Sequence, residues 1–598
     1  MNVLDSLNPQ QRKAVAAGRG PVLVLAGPGS GKTRVLTQRV AYLIAEQRVP
    51  PYRIMAVTFT NKAAGEMQSR VEKLLGSDAT QGMWLGTFHA ICARLLRREA
   101  GLLPIEANYA IFDQDDQERL AKAIVRDFNL DPKLYRPSSM LGAIGNAKNE
   151  LMRAEDYPVA TYRDEVVKRI YVEYQRRLVA SNAVDFDDLL VYAAHLLQEN
   201  RAVRQKYSER LEHVLVDEFQ DTNLAQYTLI KHLSSAHNNL FVVGDPDQSI
   251  YRWRGADRRN VQRFEEDYPE AQVILLEQNY RSGQTILDAA MGVIDRASNR
   301  RRKQLFTERG AGEKVHYYEA PDDYAEASFV VDSIAQLVAT RQFEPRDCAV
   351  MYRTNAQSRL LEEAFLQARL PYRLVGAQRF YGRREVKDVI AFLRMVHNPA
   401  DEATLDRIIN VPPRGLGDKT LLALHTVARQ NQTSAGRILL DLARGSDSPY
   451  WARFQGRSVV PLADFGASLA NWIAGASSLT VLELFDRILK DLNYKAYIDD
   501  ESEEGQDRWE NVQELRRLAM DYSSRTLEEF LENVALVSDQ DTLKDDVNAP
   551  TLLTLHAAKG LEFRAVFITG LDDGILPHSR SFDEPEEMEE ERRLLYVG

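Results

Sequence analysis

Five apolar residues, Val22–Ala26, lead into Gly27-Pro28-Gly29-Ser30-Gly31, then Lys32-Thr33 and the helix-patterned TRVLTQRVAYLI. No other stretch restricts the fold so strongly. Glycines allow a tight turn that other residues resist, and the strand-turn-helix order aims backbone N–H groups at one hollow. Such a hollow suits phosphate. On this reading Ala26, Gly27, Pro28, Gly29, Ser30, Gly31, Lys32 and Thr33 line a nucleotide's phosphates. Lys32 reaches the β- and γ-phosphates and Thr33 is a Mg²⁺ ligand. Ala26 stands where the strict pattern has glycine, a mild departure.

A second apolar run, His213-Val-Leu-Val, ends in Asp217-Glu218-Phe-Gln220-Asp221. Acidic residues after a strand are commonly turn or helix-cap residues. Coupled to a phosphate loop upstream, they read as the pair that phosphoryl transfer requires: Asp217 orients Mg²⁺ and Glu218 activates the attacking water. The cofactors expected from these residues are therefore a nucleoside triphosphate and Mg²⁺. No feature supports a carboxylate pair for glycoside hydrolysis.

A chain of 598 residues exceeds one hydrophobic core, and at about 100–200 residues per domain it divides into several. Strand-like and helical segments alternate from Val22 to about Arg98 and from Leu211 to about Ala290, the pattern of a doubly wound parallel sheet. A second alternating region holds strands KVHYY, DCAVMYR and PYRLVG and helices EASFVVDSIAQLV and SRLLEEAFLQA; it resumes at TLLTLH and AVFITGL. Residues 89–210 and 378–547 read as helical insertions. The expected first α/β domain is 1–88 with 211–276, and the second is 277–377 with 548–598.

The net charge of −11 argues against a uniformly basic coat, though an acidic chain can carry a basic groove. The runs Asp499–Glu504, Asp583–Glu591 and Arg300–Lys303 read as solvated faces. With 44% hydrophobic residues and no apolar run near the roughly 20 that a membrane helix needs, no membrane span is expected. No secretory signal is visible, so the expected location is cytoplasmic. Cys92 and Cys348, far apart and without neighbouring ligands, predict neither a disulfide framework nor a zinc site.

In order along nearly its whole length, the chain resembles the UvrD/PcrA/Rep helicases of superfamily 1. The resemblance rests on Leu7-Asn8-Pro9-Gln10-Gln11, the phosphate loop, Thr58-Phe-Thr-Asn-Lys-Ala-Ala64, Gly86-Thr-Phe-His89 and the Asp217 run. It continues through Val243-Gly-Asp-Pro-Asp-Gln248-Ser-Ile-Tyr251-Arg-Trp253-Arg254-Gly-Ala256, the most specific stretch, then Gln278-Asn-Tyr280-Arg281-Ser282 and Leu555-His556-Ala-Ala-Lys559-Gly560-Leu-Glu562-Phe563. It implies two RecA-like P-loop motor domains, each with a mostly helical insertion.

The resemblance implies that Gln11 meets the adenine edge, that Tyr280 and Arg34 sandwich the adenine, and that Gln248 senses and Arg281 contacts the γ-phosphate. Glu562 belongs to a motif touching nucleotide and DNA. The implied DNA contacts are Phe59, Asn61, His89, Tyr251, Trp253, Arg254, Asn355, His556, Lys559 and His578. Val411-Pro-Pro-Arg414-Gly415-Leu416-Gly417 resembles a duplex-gripping loop, with Leu416 in place of the usual isoleucine; Arg414, Gly415 and Gly417 are its implied contacts.

Physics supports part of this set. Phe59, Tyr251 and Trp253 fall beyond strand ends, where bases stack on aromatic faces for roughly 1–3 kcal/mol each without sequence readout. A lone aromatic there would ordinarily pack into a core. His89, His556 and His578 suit capping or packing as well as DNA contact.

The expected function is an ATP-dependent 3′-5′ single-stranded DNA translocase and helicase in repair or replication restart. Its expected partners are single-stranded DNA and single/double-strand junctions, and it acts as a monomer or DNA-dependent dimer. The family's sixth motif begins at Glu590, and its finger arginine would lie just beyond Gly598. The expectation is a piece of a longer protein or, failing that, a fragment that binds DNA but hydrolyses weakly. A remodeller that strips proteins from DNA is a further alternative.

Overall fold

The computed structural model describes residues 3–298, 300–375, 383–454, 459–498, 503–522, 524–536 and 548–598. Its strands are β1 (Val22–Ala26), β2 (Ile54–Thr58), β3 (Trp84–Thr87), β4 (Ala110–Phe112), β5 (Ala183–Asp185), β6 (His213–Val216), β7 (Leu240–Gly244), β8 (Gln272–Leu276), β9 (Cys348–Tyr352), β10 (Arg373–Leu374), β11 (Thr551–Thr554) and β12 (Ala565–Ile568). β1, β2 and β7 are buried at every position, as their unbroken apolar sequences require of strands covered on both faces.

Six strands form one parallel sheet in the order β3-β2-β6-β7-β1-β8. A second parallel sheet has the order β10-β11-β9-β12. Parallel pairing sends every strand's carboxyl end to the same edge of its sheet, where ligands bind in open α/β folds. In the first sheet that edge carries the loops holding Gly27–Gly31, Phe59, Asp217, Gln248 and Tyr280. In the second it carries Asn355 after β9 and His556 after β11.

By chain contacts, Met1–Ile91, Leu196–Ala377 and Ser538–Gly598 make one compact unit, which holds both of these sheets. Cys92–His195 and Gln378–Val537 make the other. Thus the two helical stretches, read from sequence as separate insertions, pack on each other. Arg394 reaches Asp116 at 2.5 Å and Asp401 at 3.4 Å, Arg97 pairs with Glu528 and Glu532, and Asn398 donates to the Ser181 and Asn182 carbonyls. The second unit's core is helical, centred on Phe392, Phe465 and Trp472, and it also carries the short parallel pair β4-β5.

Two expectations need correction. KVHYY, residues 314–318, forms no strand, and Val315, Tyr317 and Tyr318 are 60%, 79% and 48% exposed. Alternating β-formers make a strand only where a neighbour takes up their backbone groups; here Tyr318 instead stacks on Phe329 at 3.8 Å.

The basic run Arg300–Lys303 is a solvated face only in part: Arg301 and Arg302 are exposed, but the other two residues are not. The Arg300 and Lys303 side chains are 5% and 3% exposed, drawn in by Asp245 and Asp247. Of the acidic runs, Glu591 is likewise buried, held by Arg353 at 2.7 Å. Residues 499–502 lie outside the described residues. No helix among the described residues is long and apolar enough to cross a membrane.

Candidate active site

After β1 the chain turns through Gly27–Gly31 into the helix Lys32–Ala45. Gly29 has φ +60° and Gly31 φ +85°, left-handed values that favour glycine. A Cβ at Gly29 would also lie 2.7 Å from the Arg281 Cβ and 2.8 Å from the Asn279 Nδ2. The loop is braced from outside: Asn279 donates to the Pro28 carbonyl at 2.7 Å, and the Tyr280 N–H donates to that of Gly29 at 2.8 Å.

Gln11 is buried, donates to the Ser30 carbonyl at 2.9 Å, and accepts from the Asn8 N–H, completing a capping box. Its amide therefore supports the phosphate loop from behind. Asn8 also donates to the Tyr280 hydroxyl at 2.7 Å. Arg34 is exposed and donates to the Ser6 carbonyl; Tyr280 is 40% exposed, which leaves ring surface for a planar ligand.

The carboxylates converge on this loop. Thr33 Oγ1 donates to Asp217 Oδ2 at 3.4 Å, and Lys32 Nζ lies 3.7 Å from Glu218 Oε2 and 3.1 Å from Gln248 Oε1. Burial, with the charge of Glu218 beside it, pushes Asp217 up to about 7. Burial opposes ionisation of Glu218 as well, but Lys32 and Lys559 outweigh it and hold that carboxyl below its ordinary value. The negative charge of the pair thus rests on Glu218, beside Lys32. Glu218 sits at φ +50°, a strained value of the kind stored at functional sites.

Gln220 fixes the Glu218 carboxylate, donating to it at 2.6 Å while its own oxygen accepts from the Asp245 N–H at 2.8 Å. Gly244 permits this approach, since a Cβ there would meet Gln220 Oε1 at 2.6 Å. Arg281 and Glu562 form an ion pair at 2.5 Å, which brings those two implied nucleotide contacts together.

The implied DNA residues of this unit fall into groups. Tyr251, Trp253 and His556 form an aromatic cluster: ring centroids are 6.4 Å apart for Tyr251–Trp253 and 6.2 Å for Trp253–His556, and Trp253 is 62% exposed. Phe59 meets Phe88 edge to face at 5.8 Å, with Asn61 and His89 opening the helices after β2 and β3. Asn355 is exposed, and the His578 N–H donates to Glu591. The Arg254 side chain lies outside the described residues.

Lys559 differs from the rest. Its side chain is 6% exposed, and its ammonium pairs with Asp221, donates to the Gln248 carbonyl at 2.6 Å, and lies 4.9 Å from the Tyr251 ring centre. Its position suits a bridge between carboxylate cluster and aromatic cluster better than a phosphate contact.

In the helical unit, Gly415 and Gly417 are exposed at the start of the helix Asp418–Gln430, whereas Arg414 turns inward. Its guanidinium donates to the Ile408, Ile409 and Val411 carbonyls and lies 4.3 Å from the Phe465 ring centre, so it shapes the loop. Sequence reasoning missed Gln220, Asp221, Asp245 and Asn279 as supports, although all four stand in the motifs quoted; it also missed Lys303, which stands in none of them.

Residues 7–269 match the model of the UvrD/REP helicase N-terminal domain, and 274–598 that of the UvrD-like helicase C-terminal domain. ATP-dependent DNA helicase PcrA of Bacillus subtilis (strain 168) is 44% identical over 609 residues, covering 100% of this chain and 81% of its own. PcrA of Staphylococcus aureus (strain Mu50) and of Staphylococcus epidermidis (strain RP62A) are each 43% identical, with 100% of this chain and 82% of theirs covered. With these matches spanning its whole length, the chain is an enzyme of the UvrD/REP helicase family.

Proposed function

We propose that this enzyme hydrolyses ATP to move 3′ to 5′ along single-stranded DNA and to separate duplex at a single/double-strand junction. The observation that carries it is the short connection from Lys32 through Gln248 to Tyr251 and Trp253, which ties hydrolysis to a surface where bases stack. Stacking on Tyr251, Trp253 and Phe59 tolerates any base, as translocation demands. Polarity, and a setting in DNA repair or replication in the cytoplasm, are drawn from family likeness.

Thr33 and Asp217 offer two hard oxygens, and among the described residues no group of three or more His, Cys, Asp or Glu forms a complete metal cage. That donor set fits Mg²⁺, which takes one or two protein ligands together with substrate phosphates and water. When bound, it neutralises charge that develops on the phosphates. The protein's own groups do the rest: Lys32 binds the phosphates, Glu218 takes the proton of the attacking water, Gln248 reads the γ-phosphate, and Arg281, released from Glu562, reaches the same group. Tyr280 and Arg34 hold the base of the nucleotide. Gly415 and Gly417 present backbone to duplex phosphates from the helical unit.

ATP hydrolysis measured with and without single-stranded DNA, beside Lys32→Ala, and unwinding of 3′-tailed against 5′-tailed duplexes test this. Strong DNA stimulation, lost in Lys32→Ala, with unwinding of the 3′-tailed substrate is expected. Hydrolysis indifferent to DNA would sink the motor reading, and preference for the 5′ tail would reverse the polarity.

A further inference from the structure

Lys303 belongs to no motif, yet its ammonium is buried between two carboxylates of the Gln248 turn, Asp245 and Asp247, the latter at 3.0 Å. Arg300 adds a second cation to Asp247 at 3.0 Å. Burying one lysine and two carboxylates is costly, and such groups persist where they are paired and specify a geometry. Burial alone would lower the lysine's pKa, but the two carboxylates outweigh it and raise it above its ordinary value.

The geometry specified is that of Gln248. Its Nε2 donates to Asp245 Oδ2 at 2.7 Å, and its Oε1 accepts from Lys32 Nζ at 3.1 Å. A glutamine amide fits its site in either of two orientations, and its neighbours choose between them. An ionised Asp245 only accepts, so it takes the NH₂ and leaves the oxygen for Lys32. Asp245 is 0% exposed, and with Lys303 removed its buried charge is left uncompensated, which loosens its hold on the Gln248 amide.

We infer that Lys303 is a positioning residue which, through Asp245, keeps the Gln248 amide oxygen turned toward Lys32 and so sets the enzyme's discrimination between nucleoside tri- and diphosphate. This rests on the reading of Gln248 as the γ-phosphate sensor. Lys303 touches no substrate; its effect passes wholly through the amide.

The test is titration of the full chain, on single-stranded DNA, with ADP and with the β,γ-imido analogue of ATP, and comparison of the two dissociation constants. Lys303→Met is expected to lower the preference for the triphosphate roughly tenfold, the scale at which supporting residues act, with ADP affinity retained. Lys303→Arg is expected to restore most of it. In a Gln248→Ala background, Lys303→Met should cost nothing further, a non-additivity that a merely structural role does not produce.

Full preference in Lys303→Met, or losses that multiply with Gln248→Ala, overturns the inference while leaving the proposed function standing. Should Lys303→Met not fold, Asp245→Asn, which removes the directing carboxylate, must show the same loss of preference or the inference fails. A wild-type chain that binds both nucleotides equally overturns the sensor reading, and one that binds neither overturns the proposed function itself.

Discussion

Lys559→Met separates two roles for one residue. As a DNA-phosphate contact, Lys559 would contribute one released counterion, and its loss would shallow the dependence of log affinity on log salt by about 0.7 for a single strand. As placed here, with 6% of its side chain exposed and its ammonium on Asp221 and the Gln248 carbonyl, it contributes none. The salt slope is therefore expected to stay unchanged, while DNA-stimulated hydrolysis falls about tenfold or more as Glu218 loses a neighbouring cation and the Gln248 turn an anchor.

Stability should suffer less than the usual roughly 3–5 kcal/mol for breaking a buried pair. Even with Lys559 beside it, burial pushes Asp221 up to about 6, so near pH 7 the orphaned carboxyl escapes by taking a proton. One pKa unit corresponds to about 1 kcal/mol, which caps the loss on that side. Fluorescence anisotropy with a labelled oligonucleotide across a salt series gives the slope, and thermal melting gives the stability. A slope shallower by about 0.7 with hydrolysis intact would refute the bridging role and return Lys559 to the DNA.

Trp253→Ala should weaken single-strand binding by roughly 10–100-fold, the equivalent of about 1–3 kcal/mol of stacking, and leave ATP-analogue affinity unchanged; equilibrium titration of each ligand checks both halves. In the helical unit, His425 donates to Asp406 at 2.7 Å and lies 3.7 Å from Glu402, and hydrogen bonds to these two carboxylates raise it to about 10. Because its folded pKa is raised, the stability it adds is complete below the unfolded value near 6.5 and is lost as pH rises through about 10. His425→Gln should therefore cost about 2 kcal/mol at pH 6, less than the bare shift implies because Asp406 is half exposed, and almost nothing near pH 10.5. A difference in melting temperature that stays constant across that range would contradict it.

What was legible in the sequence was local. The phosphate loop and the Asp217-Glu218 pair each follow a strand directly, so apolar runs ending in glycine or acid located them, and parallel pairing then brought the loops to one edge. Contacts between distant segments were not legible. Arg300 and Lys303 look like any exposed basic run until Asp245 and Asp247 close on them, and Arg414 looks like a phosphate contact until three carbonyls of its own loop take its N–H groups. KVHYY carries strand propensity, but no property of those residues says whether a partner strand lies beside them. Arg394 likewise gives no sign in sequence of the Asp116 to which it is tied.

The unread contacts share a direction. The phosphate loop, the carboxylates and the sensor glutamine all stand on loops of the first sheet, whereas Asn279, Lys303, Lys559 and Arg593, which hold those loops, come from later in the chain. The Gln248–Tyr251 segment alone is gripped at the Gln248 carbonyl by Lys559 and at the Ser249 carbonyl by Arg593, with the aromatic cluster immediately beyond. On the proposed reading, a shift of the second sheet's elements moves Gln248 and the aromatic cluster together, because the same few backbone atoms carry both. Coupling between two sites needs a physical element that both bias, and this turn is placed to serve as one. It also follows that substitutions of Lys559 and Arg593 should change how many nucleotides are hydrolysed per base moved before they change affinity for either ligand, a ratio obtained by measuring hydrolysis and translocation on the same oligonucleotides.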